Sequence, residues 1–169
     1  LLNNAAVPQV LHLSLDADNR DTYTTIKGMD RFDQVVTNVQ EFLVGKATCG
    51  ARWPRPVFQF IVGSNNFGEA RAFQDRWLET CRAQGIPVQS AAGHVPHGED
   101  AVVFFRQLDC PTPEVQEAEN QVFRRAMKDL GLDLPAAAAR GRQVEAENLH
   151  PCSGFWKSPV VGWQGDVTT

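Results

Sequence analysis

The sequence predicts an α/β fold with a parallel sheet, because three apolar strands alternate with two amphipathic helices. The strands are expected near residues 10–16, 57–62 and 86–90, and the helices at 31–44 and 68–84. Connections of this length favour parallel pairing of successive strands. We therefore expect the three strands to be parallel neighbours, with both helices packed on one side of the sheet.

The first strand alternates apolar and polar residues. Its leucines share one face, whereas His12, Ser14 and Asp16 share the other, because strand side chains alternate with a period of two. Ligands of α/β folds bind outside the carboxyl ends of parallel strands. This rule places Ser14 and Asp16 at a candidate ligand site.

The other elements are predicted from apolar spacing and from residues that favour helix ends. Residues 18–30 are expected to form a polar connection, and Gly45 is expected just past the end of the first helix. Residues 101–105 fit either a short strand or a helix. A further helix is expected to begin after Thr112, a good N-cap, and to end at Gly131.

Composition favours a soluble protein. The 16 Lys and Arg residues and 20 Asp and Glu residues give a formal charge of −4, which does not support broad nucleic-acid or membrane binding. Without a secretion signal we expect a cytoplasmic protein with reduced thiols, and no CxxC pair occurs among Cys49, Cys81, Cys110 and Cys152. The chain lacks an initial Met and ends within a strand-like pattern, so we interpret it as an internal fragment.

Three stretches resemble the middle of the barrel of radical SAM enzymes. In that family a strand ending in Ser-x-Asp is followed by a basic residue and Gly, and then by a helix of the Phe-x-x-Val-x-x-Asn type. The corresponding residues here are Ser14-Leu15-Asp16, Lys27-Gly28 and Phe32 to Asn38. The next strand is also similar, with Asn66 at its end and Glu69 three residues beyond.

The carboxyl-terminal stretch resembles the opening of a SPASM-type auxiliary iron–sulfur module. The motif of that module is a Cys, a later Gly and a second Cys at a characteristic spacing. Here Cys152 is followed by twelve residues, Gly165 and four more residues. The resemblance divides the chain into the second half of a partial (β/α) barrel with an extra helix at 1–131, a linker at 132–149 and a truncated SPASM-like hairpin module at 150–169.

The resemblance implies S-adenosylmethionine, a 4Fe–4S cluster and an auxiliary iron–sulfur cluster as cofactors, and an electron donor such as a flavodoxin or ferredoxin. Enzymes of this family reductively cleave S-adenosylmethionine to a 5′-deoxyadenosyl radical, which modifies a substrate that is often a peptide or protein. The family's CxxxCxxC motif, whose thiolates bind the catalytic cluster, does not occur in this sequence. We therefore expect the parent protein to be an enzyme and this piece to be inactive alone.

The resemblance assigns Ser14, Asp16 and Asn66 to cofactor binding and Cys152 to the auxiliary cluster; no catalytic residue is assigned. Without it, the first three are ordinary polar residues of strand ends and turns, and Cys152 is an ordinary thiol. A hydroxyl and a carboxylate suit the hydroxyls of a ribose. We expect Ser14, Asp16 and Asn66 to converge at the carboxyl ends of two adjacent strands, and Lys27 to be a solvated loop residue.

Two other functions are compatible with the sequence. One is a non-enzymatic α/β module that binds a small ligand at the strand ends. The other is a zinc-dependent hydrolase that uses His94, His97 and Asp16, since zinc is bound by His and carboxylate side chains. A CxxxCxxC motif upstream and a Cys-rich tail downstream in the full reading frame would favour the radical SAM interpretation.

Overall fold

The computed structural model describes residues 9–134 and the backbone of residues 160–161 and 167–168. The elements of this part, in chain order, are β1 (Val10–Ser14), α1 (Arg20–Lys27), α2 (Phe32–Thr48), β2 (Arg55–Val62), α3 (Ala70–Ala83), β3 (Val88–Ala92), β4 (Ala101–Gln107), α4 (Pro113–Leu130), β5 (Val160–Val161) and β6 (Val167–Thr168). A short 3₁₀ turn, Phe67–Glu69, leads into α3. None of the described helices combines the length and apolarity that a membrane crossing requires.

Strands β1 to β4 form one parallel sheet in the order β1-β2-β4-β3, which confirms the α/β class with parallel strands. The expected pairing of β1 with β2 is also confirmed. The expected pairing of β2 with β3 is wrong, because β4 lies between them. The reason is burial: β4 opens with five buried residues and takes an inner position, whereas β3 exposes Gln89 and lies at the edge.

One face of the sheet carries the main core, and α2, α3 and α4 all pack against it. Its buried helix residues are Val39 and Leu43 of α2, Phe73, Trp77 and Cys81 of α3, and Phe123, Ala126, Met127 and Leu130 of α4. They contact the strand residues Phe58, Phe60, Val62, Val103 and Phe105. The expectation that the helices lie on one side is therefore confirmed.

The other side of the sheet, called here the opposite face, presents the alternate strand residues. In the described part of the chain its buried cluster consists of Val57, Val102 and Phe104, with Ala91 and Val95 packed against it. Because side chains alternate along a strand, the opposite face also includes His12, Ser14, Gln59, Ile61 and Arg106.

The segment predicted as a polar connection contains a helix, α1. Asn19 caps it by accepting a hydrogen bond from the Thr22 amide, and Gly28 ends it in a left-handed conformation with φ 73°. Its eight residues bury only Tyr23. Tyr23 and Ile26 are the only large apolar residues in this short helix, which are too few for apolar spacing to predict it from the sequence.

Helix α2 continues past Gly45, so the end predicted there is wrong. The chain instead turns at Gly50, whose φ is 58°. Lys46 is buried within the last turn, and its ammonium donates to the carbonyls of Ala51 and Arg52 at 2.6 and 2.7 Å. Burial lowers the pKa of Lys46 below its ordinary value. These two bonds fold the following loop back onto the helix end and stabilise the additional turn.

The prediction for α4 is confirmed. The Thr112 hydroxyl accepts from the Val115 amide at 3.4 Å, Pro113 occupies the first turn, and Gly131 ends the helix with φ 70°.

Strands β5 and β6 pair in antiparallel fashion, with Val161 opposite Val167. This agrees with a hairpin in the tail. Cys152, the predicted turn near residue 165 and the linker from residue 135 onward lie outside the described residues.

Trp77 provides a test of the main core. It is 1% exposed and stacks on Phe58 with 4.8 Å between ring centroids. We expect Trp77→Ala to lower the free energy of unfolding by about 3–5 kcal/mol, because it removes a large buried side chain and leaves a cavity. Urea unfolding measures this; Val115→Ala, at an exposed position, is the control and should change stability by less than about 0.5 kcal/mol. Equal effects of the two substitutions would contradict the assignment of the core.

Candidate functional site

Asp16 lies just beyond β1 and organises the carboxyl end of the sheet. Its backbone is left-handed, with φ 61°, and Asp is among the few residues other than Gly that adopt this conformation. Its Oδ1 accepts from the Ile61 amide at 2.7 Å. Its Oδ2 accepts from the Ser14 hydroxyl at 2.8 Å and from the Lys27 ammonium at 2.6 Å. One carboxylate thus connects β1, β2 and the last turn of α1.

Asn66 completes the connection from the other side. Its Nδ2 donates to the carbonyl of Asp16 at 2.8 Å and to that of Ile61 at 2.9 Å, while its Oδ1 accepts from the Gly63 amide at 2.8 Å. The expected convergence of Ser14, Asp16 and Asn66 at two adjacent strand ends is therefore confirmed.

The three predicted site residues differ in their access to solvent. The side chain of Asp16 is 6% exposed and Asn66 is 4% exposed, so both serve mainly internal partners. Ser14 is exposed on the opposite face, where its hydroxyl also lies 3.4 Å from the Gln59 amide nitrogen. Lys27 keeps 26% of its side chain exposed. Of these groups, Ser14, Gln59 and Lys27 are the ones positioned to contact a ligand.

Glu69 holds α1 in place. Its Oε2 accepts from the Asp18 amide at 2.7 Å, and its Oε1 accepts from the Thr22 hydroxyl. Arg76 of α3 adds a two-point ion pair to the Asp18 carboxylate, at 2.6 and 3.1 Å. The 3₁₀ turn and α3 thereby fix the loop after β1, and through it the helix that carries Lys27.

The sequence prediction missed the contribution of Lys27. Lys27 was expected to be solvated, but it is an ion-pair partner of Asp16. The signal that would have found it is the N-cap at Asn19, because a helix from there to Gly28 brings its last turn back toward β1.

Two titratable side chains near the sheet are held in their neutral forms. Burial and the Asp16 carboxylate raise the pKa of Tyr23 above its ordinary value. Burial and the positive charge of Arg55 lower the pKa of His12. Tyr23 is therefore a phenol, and His12 on the opposite face a neutral imidazole, at neutral pH.

The loop of residues 93–100 covers the amino half of the opposite face. Val95 packs on the small buried cluster, while Arg55 donates to the carbonyls of Pro96 and Asp100 at 2.8 and 2.6 Å. The carboxyl half of the opposite face, around Ser14, lies at the other end of the strands from the bonds made by Arg55. A ligand on this face would therefore bind toward the carboxyl ends of the strands.

His94, His97 and Asp16 do not come together as a zinc site. Within residues 9–134, no group of three His, Cys, Asp or Glu side chains is placed to hold a metal ion, so His94, His97 and Asp16 do not form one. Among the described cysteines Cys49 is exposed and Cys81 is buried, and burial raises the pKa of the Cys81 thiol to about 12. Cys152 lies outside the described residues.

Comparison with known proteins gives no relative. No protein-family model, no curated protein and no solved structure matches this chain. A functional assignment therefore rests on the residues of the chain itself and on their arrangement.

The ion pair between Asp16 and Lys27 is tested by a double-mutant cycle with Asp16→Asn and Lys27→Met. We expect a coupling free energy of about 1–3 kcal/mol, because the carboxylate is buried and shares its partners. The control cycle is the pair Arg20 and Asp33, whose side chains are 55% and 67% exposed and whose coupling should be below about 1 kcal/mol. Urea unfolding of the wild type and the six variants measures both values, and a coupling near zero for Asp16 and Lys27 would refute the connection.

Proposed function

We propose that the carboxyl half of the opposite face is part of the S-adenosylmethionine site of a radical SAM enzyme. The observation that carries the proposal is the arrangement around Asp16, in which a buried carboxylate fixes an exposed hydroxyl and a partly exposed ammonium at two strand ends. Ligands of parallel α/β sheets bind at this end of the strands.

The layer arrangement supports a barrel wall. Helices α2, α3 and α4 pack on one face, as the outer helices of a (β/α) barrel do, whereas a doubly wound sheet has helices on both faces. In a (β/α) barrel successive strands are neighbours; β1 and β2 follow that order, whereas β4 lies between β2 and β3 and departs from it. In this interpretation the opposite face lines the barrel interior.

The exposed groups suit the chemistry of the cofactor. The Ser14 hydroxyl and the Gln59 amide offer donors and acceptors for ribose hydroxyls, and the Lys27 ammonium is a partner for a carboxylate. Asp16 and Asn66 act as positioning residues, because their polar atoms already bind the ends of β1 and β2.

Bound S-adenosylmethionine, with a reduced 4Fe–4S cluster, would supply a radical able to abstract hydrogen from a substrate such as a peptide. An electron donor such as a flavodoxin or ferredoxin would be required. The described residues 9–134 contain no group that fits such a cluster, so their proposed part is to bind and orient the nucleoside end of the cofactor. The proposal also places this protein in the cytoplasm.

A non-enzymatic module that binds a small ligand is the second candidate function. It is favoured by the same exposed Ser14 hydroxyl and half-buried Gln59 amide at the strand ends, and it requires no iron. Iron binding therefore distinguishes the two functions.

The cofactor site is tested with Ser14→Ala and calorimetric titration of S-adenosylmethionine into the full-length protein after reconstitution with iron and sulfide. We expect the dissociation constant to rise about tenfold, because one hydrogen bond to the ligand is lost. Thr48→Ala, an exposed hydroxyl on α2, is the matched control and should leave the affinity unchanged. Equal affinities of wild type and Ser14→Ala would rule out the site.

The SPASM-like tail is tested with Cys152→Ala. A thiolate is a strong ligand of iron in iron–sulfur clusters. We expect the full-length protein, after reconstitution with iron and sulfide, to bind less iron when Cys152 is replaced. Cys49→Ala, at an exposed cysteine, is the matched control and should retain the wild-type iron content. If Cys152→Ala also retains it, Cys152 is not a ligand.

A further inference from the structure

Arg106 extends the polar surface of the opposite face beyond β2. It lies at the end of β4, two residues after Phe104, and therefore shares the face of that residue. In the sheet register Arg106 pairs with Ile61, whose amide binds Asp16. Two strand spacings of about 4.8 Å separate the backbones of β1 and β4 here, so Arg106 lies about 10 Å from the Asp16 turn.

The two cations at this edge differ in how firmly they are bound. Lys27 is 26% exposed and its partner Asp16 is 6% exposed, so this pair is largely internal. Arg106 is 45% exposed and pairs with Asp109, which is 49% exposed. An ion pair that is open to solvent on both sides is weak and exchanges readily with another anion.

We propose that Arg106 binds a carboxylate of the substrate, so that the site accepts an acidic peptide or another carboxylate-bearing molecule. This inference rests on the function proposed above and adds the substrate class. A guanidinium presents a planar fork of donors that matches a carboxylate at two points. Its distance from the Asp16 turn leaves the space over β1 and β2 for the cofactor and puts the substrate over β4.

Arg106 has an internal competitor, which gives the proposal a distinctive consequence. The Asp109 carboxylate lies 2.5 Å from the Arg106 guanidinium. A substrate carboxylate must displace it, so the neutral variant Asp109→Asn should bind an acidic ligand more tightly than wild type. A purely structural role of Arg106 predicts no such gain.

The experiment uses ¹⁵N-labelled protein and follows the arginine Nε–Hε resonances by NMR. The probes are N-acetyl-glutamate amide, which carries one carboxylate, and N-acetyl-glutamine amide, its neutral isostere. We expect a saturable shift of the Arg106 resonance with the acidic probe and none with the neutral one. Backbone amide shifts around β4 report binding to variants that lack Arg106.

The expected affinities for the acidic probe follow from the geometry. Arg106→Gln should weaken binding about tenfold, and Arg106→Lys should restore only part of it because an ammonium lacks the fork. Asp109→Asn should strengthen binding, and Arg82→Gln, at an exposed arginine of α3, should have no effect. Equal responses to both probes, or unchanged affinity in Arg106→Gln, overturn the proposal.

A titration with S-adenosylmethionine separates the two possible sources of the carboxylate. If Arg106→Gln leaves cofactor affinity unchanged while Ser14→Ala weakens it, the carboxylate at Arg106 belongs to the substrate. If Arg106→Gln weakens cofactor binding as much as it weakens acidic-probe binding, the carboxylate is that of the cofactor and the substrate assignment is overturned. If Ser14→Ala leaves the affinity for S-adenosylmethionine unchanged, the proposed cofactor site is wrong. The acidic and neutral probes still decide whether Arg106 binds a carboxylate.

Discussion

The buried carboxylate of Asp16 is the interaction on which the carboxyl edge of the sheet depends. A carboxylate loses much of its hydration when it is buried, and it is stable there only with close partners. Three donors supply them: the Ile61 amide, the Ser14 hydroxyl and the Lys27 ammonium. A left-handed backbone is unfavourable for most residues with a Cβ; Asp is among the few that adopt it, and these bonds help to hold the turn.

This arrangement divides the polar residues of the edge into two groups. The side chains of Asp16 and Asn66 form their hydrogen bonds with other groups of the protein, and these bonds fix the ends of β1 and β2. Ser14, Gln59 and Arg106 are left with polar atoms directed to the opposite face. Of these three, the Ser14 hydroxyl is held by the buried Asp16 carboxylate, and a group that is already fixed loses little freedom when it binds a ligand.

Local patterns predicted most elements, whereas their spatial order depended on contacts between distant residues. The apolar alternation of β1 and the N-cap of α4 are short-range signals, and both were interpreted correctly. The insertion of β4 between β2 and β3 depends on which strand buries more surface, and that is a comparison between segments rather than a pattern within one. The convergence of Asp16 and Asn66 followed from their positions at strand ends. The ion pair with Lys27 did not, because it required recognition of the polar helix α1.

Glu69 and Arg76 attach helix α1 and the loop before it to the segment that follows β2. Glu69 binds the loop after β1 and the hydroxyl of Thr22, and Arg76 binds the Asp18 carboxylate in the same loop. Both residues belong to the segment after β2, so α1 is attached to the β2 side of the site as well as to β1. These contacts fix α1 independently of the ion pair, so the Lys27 side chain starts close to Asp16. Less conformational entropy is therefore lost when the ion pair forms. A buried ion pair often adds little to stability compared with apolar residues of the same size. In this structure the pair connects α1 to the end of β1, because the Lys27 ammonium binds the same Asp16 oxygen that accepts from the Ser14 hydroxyl.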